Sequence, residues 1–171
     1  MTGYVQIYTG NGKGKTTAAL GLALRGAGAG YRVFIGQFIK SGDFSEIRAL
    51  KRFSDLITVR QYGLGRFIKG KPSAEDLRQA QTGLNELQQI VGSGDYQVVI
   101  IDEGNVAITC ELIRENDLLD LIERRHPQTE LVITGRGATP QVMAAADLVT
   151  EMRPVKHYYE TGVPARTGIE K

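Results

Sequence analysis

Hydrophobic positions along this chain fall into short β-branched runs separated by segments with helical spacing. Tyr4 to Tyr8, Arg32 to Phe38, Leu56 to Gln61, Gln97 to Ile101, Leu131 to Thr134 and Leu148 to Met152 read as strands. Lys15 to about Ala27, built on Ala and Leu, reads as a helix, and a shorter one covers about Ser45 to Phe53. Ser73 and Asp76 have the spacing of a capping box, and the helix they open runs through Leu77, Leu84, Leu87 and Ile90 to a stop at Gly92. Thr139 followed by Pro140 marks another helix start. Strands alternating with helices favour βαβ crossovers, hence an α/β fold whose largely parallel sheet carries helices on both faces. Two segments show no regular pattern, Tyr62 to Pro72 and Arg153 to Lys171. Irregular stretches this long in a compact domain are often functional loops.

Composition narrows the setting. The chain has 171 residues, the size of one domain with a single core, so residues 1–171 are expected to form one unit. A formal net charge of +2 gives no electrostatic case for a nucleic-acid partner. The single cysteine, Cys110, allows no intrachain disulfide and no cysteine metal cluster. With no signal peptide and no long apolar run, a reduced, cytoplasmic, non-membrane setting is expected.

Chemistry first shows itself in "TGNGKGKTTAALG". Gly14-Lys15-Thr16 matches the second half of the phosphate-loop pattern G-x-x-x-x-G-K-[ST], whose first glycine is replaced by Thr9. Gly10 and Gly12 keep the loop permissive, so that backbone N–H groups can turn inward around phosphate oxygens. The helix N-terminus adds partial positive charge, Lys15 supplies a mobile cation, and the Thr16 hydroxyl can ligate Mg²⁺. Downstream, "VVIIDEGN" puts Asp102 and Glu103 at the end of a buried strand. A carboxylate there needs a neutralising cation, and nucleotide-bound Mg²⁺ would serve. No guanine-reading N-K-x-D motif occurs, which tilts the base towards adenine.

A kinase or hydrolase also needs a group to orient or deprotonate the attacking oxygen, and Glu103 is the one good candidate. His126 reads as surface, His157 fits either a site or tail packing, and Cys110 reads as a small packing residue. The loop "YGLGRFIKGKP" carries Arg66, Lys69 and Lys71 with Tyr62 and Phe67, either as a solvated basic loop or as a lid over a large second substrate. "VITGRGATP" delivers Arg136 to the carboxyl edge of the sheet, where ligands of open α/β folds bind, placed to neutralise a departing triphosphate.

The stretches "TGNGKGKTTAALGLALRGAG", "VFIGQFIK", "VVIIDEGNVA", "VITGRG", "AADLVTEMRPVKH" and the closing "GIE", taken in order, resemble the P-loop type ATP:corrinoid adenosyltransferases. That resemblance implies a RecA-like P-loop NTPase fold, a three-layer sandwich, transferring the 5′-deoxyadenosyl group of ATP to the Co(I) of a reduced corrinoid with release of triphosphate. The nucleophile would be the cobalt, so no protein nucleophile or base is required. By position, Thr9, Gly10, Asn11, Gly12, Lys13, Gly14, Lys15, Thr16 and Thr17 would cradle the triphosphate, reversed relative to kinases. Thr16, Glu103 and Asp102 would hold Mg²⁺ or Mn²⁺, with Lys15 and Arg136 catalytic. Tyr62, Arg66 and Phe67 fall where enteric relatives carry a phenylalanine and a tryptophan that set the cobalt's coordination, and this chain has no tryptophan. The resemblance further implies a homodimer and a flavin-dependent reductase that supplies Co(I). Two other readings compete: a small P-loop kinase or ATPase, and a non-catalytic RecA-like nucleotide-dependent binding module.

Overall fold

The computed structural model of the protein describes residues 2–66, 68 and 70–170. Six strands form one sheet: β1 (Val5–Thr9), β2 (Val33–Phe38), β3 (Ile57–Tyr62), β4 (Val98–Asp102), β5 (Glu130–Thr134) and β6 (Leu148–Glu151). Their spatial order is β3-β2-β4-β5-β1-β6, and every ladder is parallel. Parallel pairing brings all strand carboxyl ends to one edge, so loops distant in sequence meet there. The acidic strand is not a neighbour of β1, because β5 lies between β4 and β1. An intervening strand of this kind belongs to the RecA-like arrangement of P-loop folds.

The strands' two-residue period sorts the core into two layers. Val99 and Ile101 of β4 and Leu131 and Ile133 of β5 face one side, while Val98, Ile100 and Val132 face the other. Both central strands are therefore buried on both faces, which is why they read as unbroken apolar runs. The first side is covered by α3 (Ala74–Ser93), α4 (Gly104–Thr109), α5 (Glu115–Arg124) and α6 (Pro140–Ala144). The second side is covered by α1 (Lys15–Gly28) and the end of α2 (Ser45–Leu50), α1 contributing Ala19, Ala23 and Ala27. The result is three layers with a parallel sheet in the middle. No helix among the described residues is long and apolar enough to cross a membrane.

Local signals set several boundaries. Ser73 Oγ accepts from Asp76 N at 3.3 Å while the Asp76 carboxylate accepts from Ser73 N at 2.9 Å, so the capping box that opens α3 is present. Thr139 caps α6 with Pro140 as its first residue, as the sequence predicts. The segment after Phe44 divides into α2 and a 3-10 turn, Lys51–Phe53. Between β4 and β5, where the sequence marks only a polar helix end at His126, lie α4 and α5. The latter is opened by Arg114 and Asp117, whose carboxylate accepts from Arg114 N at 2.8 Å.

The approach of α3 to β3 is close enough to constrain a residue type. A Cβ on Gly83 would lie 2.4 Å from Tyr62 Cγ, near the ring's attachment and not at its mobile end. Gly83→Ala is predicted to lower stability by about 1–3 kcal/mol, because overpacking outweighs the up to about 1 kcal/mol of helix propensity gained. A urea midpoint that falls at unchanged slope is the expected result.

Candidate active site

The phosphate loop begins where β1 ends. Met152, one residue past β6, accepts from Gly12 N at 2.7 Å and donates from its own N to Thr9 O at 2.9 Å. A Cβ on Gly10 or Gly12 would lie 2.4 or 2.7 Å from Met152 O, so these glycines admit the neighbouring backbone as well as shaping the turn. Gly14 closes the loop at φ 119°, a left-handed geometry glycine adopts without penalty, and caps α1 with no side-chain acceptor. No acidic residue occupies the first turn of α1, which leaves its amino end open to an anion.

Lys15 curls back over this loop and donates to Gly10 O at 2.8 Å and Gly12 O at 2.7 Å. Its ammonium is held below the ordinary lysine range by burial first and by the charge of Arg136 second, with Glu103 and Asp102 opposing. Arg136 reaches this neighbourhood because Gly135 N donates to Tyr8 O at 3.1 Å and Ala138 N to Thr9 Oγ1 at 3.2 Å. Those two bonds dock the turn after β5 against the turn after β1. Asn11 and Thr17 lie exposed on the same edge.

Asp102 is 1% exposed, and both of its oxygens are engaged. Oδ1 accepts from Thr16 Oγ1 at 2.8 Å and Thr134 Oγ1 at 2.7 Å, and Oδ2 from Gln37 Nε2 at 3.0 Å and Lys40 Nζ at 2.8 Å. Burial alone would push this carboxyl up. The Lys40 charge and the bonds from Lys40, Thr134 and Thr16 win, and they hold it below the ordinary aspartate range. Thr134 also accepts from Glu103 N at 3.0 Å, which helps hold Glu103 at its left-handed φ of 60°. The Glu103 carboxyl is raised, mainly by burial and further by Asp102, against the pull of Lys40.

The neutralising cation of this pair in the protein is therefore Lys40, a role the sequence had assigned to Mg²⁺ alone. Lys40 stands 3.6 Å from Glu103 and 3.1 Å from Thr16 Oγ1. Burial works against its charge, but Asp102 and then Glu103 and Glu46 more than offset that, so it stays protonated beyond the ordinary lysine range. Its direction is set by Ile39, which has φ 67° while Lys40 N donates to Phe38 O at 2.6 Å, a tight γ-turn. A β-branched residue at positive φ costs on the order of 1–3 kcal/mol and marks a constrained site. Gly63 backs the turn, since a Cβ there would lie 2.1 Å from the Ile39 carbonyl carbon. Hydroxyl and carboxylate oxygens of Thr16, Asp102 and Glu103 are the hard donors that suit a magnesium-like ion. They fit such a group, although no cluster of three or more His, Cys, Asp or Glu side chains occurs among the described residues.

Other predicted residues fall elsewhere. Tyr62, read as a corrinoid contact, is turned into the core at 4% exposure, its ring 5.7 Å from that of Phe38 and its hydroxyl donating to Glu86 at 2.9 Å. Its ring and its hydroxyl are both engaged inside the protein. Arg66 is half exposed and pairs with Asp76 at 2.7 Å, tying its loop to the start of α3. Phe67 lies outside the described residues. The Cys110 thiol is raised by burial and by Glu103, the opposite of what a nucleophile needs.

The tail after β6 folds back to the phosphate loop. Lys13 Nζ donates to Ile169 O at 2.9 Å and stands 3.6 Å from Glu170. Glu170 accepts from Tyr158 and from Arg166, whose guanidinium also lies 5.1 Å from the Tyr158 ring centroid. His157 is a cap here, its Nδ1 accepting from Tyr159 N at 3.1 Å. A cavity of about 190 Å³ opens between Lys13, Arg153, Lys156, His157 and Tyr158. The bonds from Arg166 and then Tyr158 pull the Glu170 carboxyl from the ordinary 4.5 down to about 2. A depressed folded-state value means the tail clasp contributes its full stability above pH 4.5 and loses it as pH falls through about 2. A carboxyl carbon titration of Glu170 in the folded protein should show its midpoint near 2, and a midpoint near 4.5 would mean the tail is not clasped.

Comparison with known proteins agrees with this arrangement. A family-wide sequence description, ATP:corrinoid adenosyltransferase BtuR/CobO/CobP, matches residues 1–170. A corrinoid adenosyltransferase of Pseudomonas aeruginosa is 32% identical over 169 residues, covering 98% of this chain and 83% of that protein. One of Escherichia coli K12 is 31% identical, covering 98% and 85%. The corrinoid adenosyltransferase CobA of Salmonella typhimurium is 30% identical with the same coverages, 98% and 85%. The matched span takes in the phosphate loop, the acidic strand end, the arginine turn and the clasped tail, and the chain belongs to the ATP:corrinoid adenosyltransferase family.

Proposed function

We propose that this chain performs its family's adenosyl transfer by electrostatics and positioning, with the corrinoid's own Co(I) as the nucleophile. The cobalt lone pair forms the bond to C5′ of ATP, the C5′–O5′ bond breaks, and its electron pair leaves on triphosphate. Cobalt is thereby oxidised from Co(I) to an alkyl-Co(III), and no proton need move at the protein. Asn11 to Thr17, with Thr9 and Gly10 behind them, cradle the triphosphate through the amino end of α1 and through loop N–H groups other than that of Gly12, which Met152 holds. Lys15 leaves the loop carbonyls for phosphate oxygens, and Arg136 stabilises charge as it develops on the leaving group. Mg²⁺ or Mn²⁺ would be held by Thr16, Asp102 and Glu103, where it would add positive charge to the phosphate oxygens.

The observation that supports this reading best is the docking of the arginine turn against the end of β1, where the phosphate loop starts, which brings Arg136 near enough to act on the Lys15 charge. The corrinoid would approach from the loop bearing Arg66 and Phe67. Length, cysteine count and net charge support one domain over residues 1–171, a cytoplasmic setting and no nucleic-acid partner, and resemblance supports a homodimer and a flavin-dependent reductase upstream.

The test is phosphorus NMR of an anaerobic mixture of protein, Mg²⁺, ATP and chemically reduced cobalamin. Triphosphate should accumulate in step with a light-sensitive cobalt–carbon bond, whereas ADP with untouched corrinoid would overturn the reading. Lys15→Ala should abolish turnover. Arg136→Ala should lower kcat by about 10²–10³ while ATP affinity changes much less, as for removal of a group that acts on leaving-group charge.

A further inference from the structure

The group of oxygens assigned above to a divalent ion already surrounds a cation. Lys40 Nζ lies 2.8 Å from Asp102 Oδ2, 3.1 Å from Thr16 Oγ1 and 3.6 Å from Glu103 Oε1. A magnesium-like ion binds oxygen at about 2.0–2.1 Å and tolerates no ammonium among its own ligands. The two cations therefore exclude one another, sterically and by like charge. Lys40 is poorly placed to drift away unaided, since its side chain is only 24% exposed and its backbone is fixed in the γ-turn at Ile39 over Gly63.

We infer that Lys40 is a resident counter-ion that keeps the Thr16–Asp102–Glu103 site closed to bare divalent metal, so that metal enters only together with nucleotide. This rests on the metal-site assignment made in the proposed function and goes beyond it by giving the site an order of loading. Without Lys40, the buried Asp102 charge would lack a neutralising partner in the nucleotide-free protein, and a bare ion would be recruited. With Lys40 in place, a metal gains nothing by entering alone, because it must first break an ion pair that already satisfies the site. A metal–nucleotide complex brings phosphate charge that both the ion and the displaced ammonium can meet. Glu46, on α2, also acts on the Lys40 charge, so a lysine swung out of the site is not left without a carboxylate. Lys40 is thus a positioning residue of the site, and its readout is metal affinity in the absence of nucleotide.

The experiment measures Mn²⁺ binding to the full chain by electron paramagnetic resonance, from the loss of the free-ion signal without ATP, and with ATP from the loss beyond that of the same Mn²⁺–ATP titration without protein. Wild type should take up Mn²⁺ weakly alone and tightly with ATP. Lys40→Met, which keeps most of the stem but no charge, should bind Mn²⁺ without ATP at least about tenfold more tightly than wild type. Its melting temperature should fall in chelator and recover with Mn²⁺, a recovery wild type does not show. Adding Asp102→Asn to Lys40→Met should remove the gain, which ties the ion to this site. Should Lys40→Met not fold in chelator, Lys40→Gln, which retains a donor for Asp102 without charge, supplies the same comparison. Equal nucleotide-free affinity in wild type and variant, with tight binding to wild type plus ATP, overturns this inference and leaves the metal site standing. Failure of wild type to take up Mn²⁺ even with ATP overturns the metal site itself, and the inference with it.

Discussion

One buried negative charge organises the carboxyl edge of this sheet. Asp102 draws donors from Thr16 at the start of α1, Gln37 of β2, Lys40 just beyond β2 and Thr134 at the end of β5. An ionised carboxylate out of water costs several kcal/mol unless its lone pairs are met, so all four donors must arrive together. They come from three parts of the chain: the start of α1, the end of β2 with the turn that follows it, and the end of β5. The mutual register of β2, β4 and β5 and the entry of α1 are thereby fixed where the chemistry is expected. Thr134 bridges further, donating to Asp102 and accepting from Glu103 N, so the second acid is positioned through the first.

The phosphate loop depends on a second, weaker constraint. Its glycines are shaped against Met152, whose backbone both accepts from Gly12 and donates to Thr9. The chain leaving β6 is therefore a floor for the loop, even though β6 itself is an exposed edge strand. The tail then returns through Glu170 and Ile169 to Lys13, at the outer side of the same loop. In the proposed function the loop gives up its lysine contacts to phosphate, and being held at both flanks means that ordering is already done when the anion arrives.

Much of this was legible in the sequence, for reasons that can be named. Strands buried on both faces leave continuous runs such as Val98 to Ile101, and capping signals at Ser73 and Thr139 mark helix starts by local chemistry. GKT and the acidic strand end announce themselves by residue type alone. Lys40 did not, because its meaning lies in a contact with a residue 62 positions away, which no local pattern carries. Tyr62 reads as the first residue of an irregular loop because the strand pattern before it stops at Gln61, yet it closes β3 and is buried. Only the absent side chain of Gly83 makes room to bury it. Only the polar end of α5 is legible, because its polar first turn and short apolar stripe lie in a segment between two stronger strand signals.

Charge gives these pieces their functional sense. The edge gathers Lys15 and Lys40 around two carboxylates, Asp102 and Glu103, with the charge of Arg136 acting on Lys15. Such a set is close to neutral and stable while empty, which the buried acids require. A nucleoside triphosphate carries several negative charges, more than the single cation in excess can meet, so an entering nucleotide favours a companion divalent ion. The same surplus of negative charge grows at the leaving oxygen when C5′ departs, and that is the moment at which fixed cations in a partly buried site act most strongly. With the nucleophile supplied by the substrate's metal, holding that charge is the principal chemical work the proposed reaction leaves to the protein, and Lys15 and Arg136 are the side chains proposed to do it.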